Sequence, residues 1–156
     1  MSNQTTTTDI DPLDRIDKSI EIDASAEKVF ALVSRPGWWI NDGAIDPEPE
    51  LRQEGEVTVV THARHGEFRL AAVACEPPSY VAFRWHHRLP EDGRQRSTLV
   101  EFRIEPREGG GVTLSVAESG FAGLQKPREE WLRDRSDNVE GWDTELAAAR
   151  THLEAA

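Results

Sequence analysis

The sequence predicts an α+β fold: a curved antiparallel β-sheet wrapped around one long C-terminal α-helix, with short helices after the first strand and before the last helix. Three observations carry that expectation. Apolar residues at Val139, Trp142, Leu146, Ala149 and Leu153 fall in steps of three and four, one stripe of an amphipathic helix from Asp137 to Leu153. Between residue 14 and that helix, short apolar segments alternate with turn signals in the manner of an antiparallel meander. A lone helix cannot bury a Trp and two Leu, so the sheet is its partner.

The elements follow in order. Residues 1–13, polar and Thr-rich, read as a disordered lead-in, and 14–156 as a single domain. Ile16, Lys18, Ile20 and Ile22 alternate with Asp17, Ser19, Glu21 and Asp23 as a half-buried strand. Ser25 is an N-cap for a short helix carrying Val29, Phe30, Leu32 and Val33, which Pro36-Gly37 ends. Trp38, Trp39 and Ile40 form an apolar knot in a segment that otherwise loops to Pro49. Glu50 to His62 reads as a strand around Val57, Val59 and Val60, and Glu67 to Cys75 as the next, joined at His65-Gly66. Tyr80 to His87 places Val81, Phe83 and Trp85 on one face; Pro90-Glu91-Asp92-Gly93 is a hairpin signal; Val100, Phe102 and Ile104 line the next inward face. Gly109-Gly110-Gly111 turns into Val112, Leu114 and Val116. Pro127 starts a short helix to Arg135, and Asp137 with Glu140 has the form of a capping box for the long one, with Glu145 off its apolar stripe.

A net charge of -11, from 29 acidic and 18 basic residues, argues against nucleic acid and anionic membrane surfaces, which require clustered cations. No apolar run approaches the roughly 20 residues of a membrane span, and the N-terminus lacks the basic and apolar regions of a signal peptide, so a cytoplasmic protein is expected. Cys75 is the single cysteine, beside Glu76, which would not stabilise a thiolate. Gly109 to Gly111 joins two strands and opens no helix, so it is a turn and not a phosphate loop.

Several phrases in this order resemble the START-like, or SRPBCC, superfamily and its helix-grip fold. They are Ile20-Glu21-Ile22-Asp23-Ala24-Ser25-Ala26-Glu27-Lys28-Val29-Phe30, Trp38-Trp39, Glu76-Pro77-Pro78 leading to Phe83-Arg84-Trp85, Val112-Thr113-Leu114 leading to Glu118-Ser119-Gly120-Phe121, and Gly141-Trp142 opening the final stripe. Within the superfamily the chain looks most like homologues of the heat-shock-protein (Hsp90) ATPase activator. Gln53-Glu54-Gly55-Glu56 departs from the pair of glycines that the family often shows there. The resemblance implies a hydrophobic cavity between sheet and long helix that holds a small apolar molecule; some members are polyketide cyclases or aromatases, and others bind a protein partner.

On that basis the expected ligand-binding residues are Phe83, Trp85, Phe102, Leu114, Val116, Glu118, Trp142, Leu146 and Trp39. No acid, base and nucleophile set is present, so binding without catalysis is expected. The alternatives are a cyclase-like enzyme using Glu118 or His87, and an interaction module using Trp38 and Trp39. Glu118 continues the inward parity of Val112, Leu114 and Val116, but the strand is expected to end near Ala117, leaving Glu118 pointing to water at the rim. No cofactor is expected. A metal would need His62 and His65 to converge with His86 and His87 and a carboxylate such as Glu67. Adjacent strand residues face opposite ways, so these histidines are expected to face solvent, with His87 alone able to reach the cavity mouth.

Overall fold

A computed structural model describes residues 11–87 and 96–155. Seven strands form one antiparallel sheet: β1 (Arg15–Ile22), β2 (Glu50–Glu54), β3 (Val57–His62), β4 (Gly66–Glu76), β5 (Tyr80–His86), β6 (Ser97–Pro106) and β7 (Val112–Ser119). The spatial order is β1-β7-β6-β5-β4-β3-β2. Helix α1 (Ala26–Val33) follows β1, a 3-10 turn spans Phe121–Leu124, and helix α2 (Arg128–Glu154) closes the described chain. The expected α+β helix-grip architecture is therefore the one observed.

Strand parity sets the core. Register pairs Val81 with Phe102 and Phe83 with Val100, then Phe102 with Val116 and Val100 with Glu118, so one face of β5, β6 and β7 forms a continuous buried ladder. In β4 the register shifts between Ala72 and Ala74. The bulge leaves Val73 51% exposed and bends the strand, which helps the sheet curve toward α2.

The stretch Glu50 to His62 is two strands rather than one. Gly55, at a φ of 63°, supplies the turn between them. Apolar periodicity does not reveal β2, because all five of its residues are exposed. It is an edge held by main-chain pairing to β3 and blunted by Glu50, Arg52 and Glu54.

Ser25 caps α1 as expected, its hydroxyl accepting the Lys28 N–H at 3.1 Å. Beyond the helix, Gly37 has a φ of 71°, and a Cβ there would stand 2.7 Å from Val60 Cγ2. Only glycine lets the chain turn that closely over β3, and the turn sends Trp38 and Trp39 into the core.

The C-terminal helix differs from expectation. Arg128 to Glu154 is one helix of 27 residues, so the expected short helix and the Asp137–Glu140 capping box both lie inside it. Pro127 does stand at its start, with Glu129 and Glu130 complementing the first-turn dipole. The helix continues because Trp131 anchors its first turns, stacking on Phe121 with 6.5 Å between ring centroids, and no Gly or Pro interrupts Ser136-Asp137. Arg135 donates to the Arg15 carbonyl at 3.0 Å, Lys18 pairs with Asp143 at 3.2 Å, and the Asp23 N–H donates to Glu154 at 2.8 Å. These three contacts fix α2 along β1.

The hairpin signal at Pro90 to Gly93 lies outside the described residues, as do residues 1–10 of the expected lead-in. Asp11 to Asp14 form a turn, and the Asp11 carboxylate pairs with Arg128 at 2.8 Å. Among the described residues, no helix is long and apolar enough to cross a membrane.

Candidate functional site

An aromatic cluster lies between the concave face of the sheet and α2, with Trp39 at its centre. Its ring centroid is 5.4 to 5.7 Å from those of Phe83, Trp85, Phe102 and Trp142, and 6.1 Å from that of Trp38. Tilted and edge-on pairs of this kind add about 0.5–1.5 kcal/mol each beyond burial. The Nε1–H groups of Trp38 and Trp39 have no hydrogen-bond acceptor among the described residues. Trp38 is 0% exposed and Trp39 4%, so the pair is not an exposed anchor for a partner protein.

The cluster fills the core on one side and leaves an open cleft of about 620 Å³ on the other. Trp39, Ile40, Phe68, Trp85, Gly141 and Trp142 form its apolar wall. A second cleft of about 890 Å³ shares His65, Phe68, Trp85, Asp137 and Asn138 with the first, and extends past His86 and His87 to Lys126 and Asp134. Of the expected ligand-binding residues, Trp39, Trp85 and Trp142 line this space. Phe83, Phe102, Leu114, Val116 and Leu146 instead pack in the core behind it. Asn138, Trp142 and Glu145 share a helix face at steps of four and three, a spacing that could have brought Asn138 and Glu145 to notice. Phe68 and Ile40 reach the cleft through the loop and sheet curvature, which no local pattern encodes.

Glu118 corrects the rim expectation. Strand β7 runs on to Ser119, and Glu118 is 0% exposed. Its Oε2 accepts from Thr98 Oγ1 at 2.7 Å, and its Oε1 from Asn138 Nδ2 at 3.0 Å and Trp142 Nε1 at 2.9 Å. Burial pushes its proton affinity up, and the three donors oppose that. The carboxylate stands behind Trp142 and Asn138, which line the cleft, and is not itself a lining residue. It positions that wall and bolts β6 and β7 to α2.

Glu145 is also buried, 7% exposed, although its place off the apolar stripe suggested a solvated residue. It accepts from Asn41 Nδ2 at 3.2 Å and from the Gly43 N–H at 3.1 Å, holding the loop after Trp39 onto α2. Desolvation raises its proton affinity too.

His65 is exposed, as expected, whereas His62, His86 and His87 are half-buried. His86 and His87 both line the larger cleft, because β5 ends at His86 and strand alternation stops there. Burial lowers the proton affinity of both. His62 and His65 stack with centroids 4.5 Å apart and meet Asp42, not Glu67. His65 Nε2 lies 2.7 Å from Asp42, whose carboxyl that hydrogen bond holds below its ordinary range. His62 Nδ1 accepts the N–H groups of Arg64 and His65, both at 3.1 Å, which assigns the ring proton to Nε2. That nitrogen is then a donor facing Asp42, where a metal ion would need a lone pair, and the Arg64 guanidinium stands 3.6 Å from the same carboxylate. The arrangement latches the loop carrying Asp42 to the β3–β4 turn.

Comparison with known proteins agrees with this fold. The family model described as "Activator of Hsp90 ATPase homolog 1-like protein" matches residues 23–154. Among solved structures, protein MLL2253 from Mesorhizobium loti is similar at 17% identity and a TM-score of 0.65, covering 90% of this chain and 96% of that one. The Aha1 dimer from Colwellia psychrerythraea is similar at 18% identity and a TM-score of 0.63, over 90% and 96%. The Polyketide_cyc-like protein Cgl2372 from Corynebacterium glutamicum is similar at 21% identity and a TM-score of 0.58, over 90% and 91%. No curated protein matches the chain.

Proposed function

Since the chain belongs to the family of activator of Hsp90 ATPase homolog 1-like proteins, we propose that it binds a small apolar molecule in the cleft between its sheet and α2, without catalysis of its own. The observation that carries this reading is the aromatic wall: Trp39, Trp85, Phe68 and Trp142 border about 620 Å³ of open space beside a packed core. A cleft of that size, apolar with a few convergent polar groups, is what ligand sites usually look like.

Gly141 supplies a direct test. It lines the cleft, and nothing stands within 4 Å of a Cβ built on it. Gly141→Phe fills the space from the helix side while leaving the core alone. Native mass spectrometry of protein taken gently from its own host should find a bound mass of a few hundred daltons in the parent chain and none in the variant. A bare chain mass for both would count against the reading.

A cyclase-like reading has one observation in its favour. His87 lines the larger cleft, and its burial keeps the imidazole in the neutral form that accepts a proton. In that reading the cleft orients a reactive chain and His87 moves a proton, whereas Glu118, behind the wall, acts only by holding Trp142 and Asn138. Turnover of a polyketone probe that disappears in His87→Gln, with binding kept, would favour this second reading over the first.

A further inference from the structure

The two clefts share five lining residues and so form one groove with two unlike ends. Trp39, Ile40 and Trp142 make one end apolar, and His86, His87, Lys126 and Asp134 make the other polar. Among the described residues, the cations at the polar end are already paired. Lys126 pairs with Asp134, and Arg69, which also lines this part, lies 3.5 Å from Glu54 and 3.7 Å from Glu67. Glu67, Asp134 and Asp137 outnumber Arg69 and Lys126 among the described lining residues, and the chain as a whole carries -11. A ligand carboxylate entering here meets paired cations and an opposing field. An imidazole in its neutral form offers one donor and one acceptor, which suits a hydroxyl or a carbonyl.

Resting on the ligand-binding reading above, we propose that the groove selects an amphipathic molecule that carries no acid group. Its ring-sized apolar body lies against Trp39, Trp85 and Trp142, its hydroxyl or carbonyl head lies at the His86–His87 end, and carboxylic acids of the same shape are rejected. The Lys126–Asp134 pair is the device that rejects them, since Asp134 occupies the ammonium that would otherwise receive the acid.

A matched series tests this: naphthalene, naphthalenemethanol, acetylnaphthalene and naphthoate, titrated into the full chain at pH 7 while the indole N–H signals are followed by NMR. The alcohol and ketone should bind tightest, roughly tenfold ahead of naphthoate. In Asp134→Asn, Lys126 is released and the naphthoate deficit relative to naphthalene should shrink roughly tenfold. In His87→Leu the lead of the alcohol over naphthalene should vanish. Naphthoate binding as tightly as the alcohol, or an Asp134→Asn variant with an unchanged ranking, overturns the inference while leaving the ligand-binding reading in place. No binding by any member, naphthalene included, overturns both.

Discussion

The Glu118 carboxyl is buried in the folded chain and solvated in the unfolded one, and its proton affinity is higher in the fold. A carboxyl raised in this way contributes its full stability below the unfolded carboxylate value and loses it as pH rises through the folded value. Stability should therefore decline as pH rises above the ordinary carboxylate range. Glu118→Gln should flatten that decline, because the amide oxygen can still accept from Asn138 and Trp142 while the amide N–H donates to Thr98. Glu145 shifts in the same direction, so a residual slope stays. Urea denaturation of both proteins at several pH values reads the difference; parallel curves would remove Glu118 from the account. Glu118→Ala is a different case. It strands three donors, and a cost of about 3 kcal/mol or more is expected.

Helix α2 carries a glycine at its centre, and Gly141 costs such a helix about 0.5–1 kcal/mol relative to alanine. Its added Cβ would meet nothing within 4 Å, so Gly141→Ala should raise stability by about that amount in thermal melts. A drop instead would mean that the helix backbone needs glycine at this point. Helix α1 rests on a smaller device. Ser25→Ala removes the acceptor for the Lys28 N–H and should lower stability by about 1 kcal/mol, measurable as a shifted denaturation midpoint at constant slope. Gly37→Ala should cost more, about 1–3 kcal/mol, since it combines left-handed backbone strain with a clash against Val60.

For the molecule as a whole, a ligand that binds the fold and not the unfolded chain raises thermal stability with its concentration. Apolar aryl compounds should therefore raise the melting temperature of the parent chain and leave that of Gly141→Phe unmoved; equal shifts in both would place the binding elsewhere. The architecture was legible in the sequence because it rests on local periodicity. Alternation at Ile16 to Ile22 and Val112 to Val116, the stripe from Trp142 to Leu153, the Ser25 cap and the Pro127 start all depend on neighbours within one or two turns. The site was legible only as a set of aromatic residues. Which rings fill the core and which face open space depends on how far the sheet curves and where α2 lies across it, and those are set by contacts over a hundred residues apart, such as Arg135 on Arg15 and Glu145 on Asn41. Strand β2 was hidden for another reason, since its pairing is local but all of its residues are exposed, and the meeting of Asp42 with His62 and His65 was hidden by the loop and strand that separate them. Strand parity did aim Glu118 inward, but whether the strand lasted long enough to bury it was decided by its pairing with β1 and β6. The sequence by itself determined the elements and the faces they bury, since these are properties of short segments. Tertiary structure alone decided the cleft, its lining and the burial of its carboxylates, because an unfilled volume belongs to no segment and exists only between elements already packed.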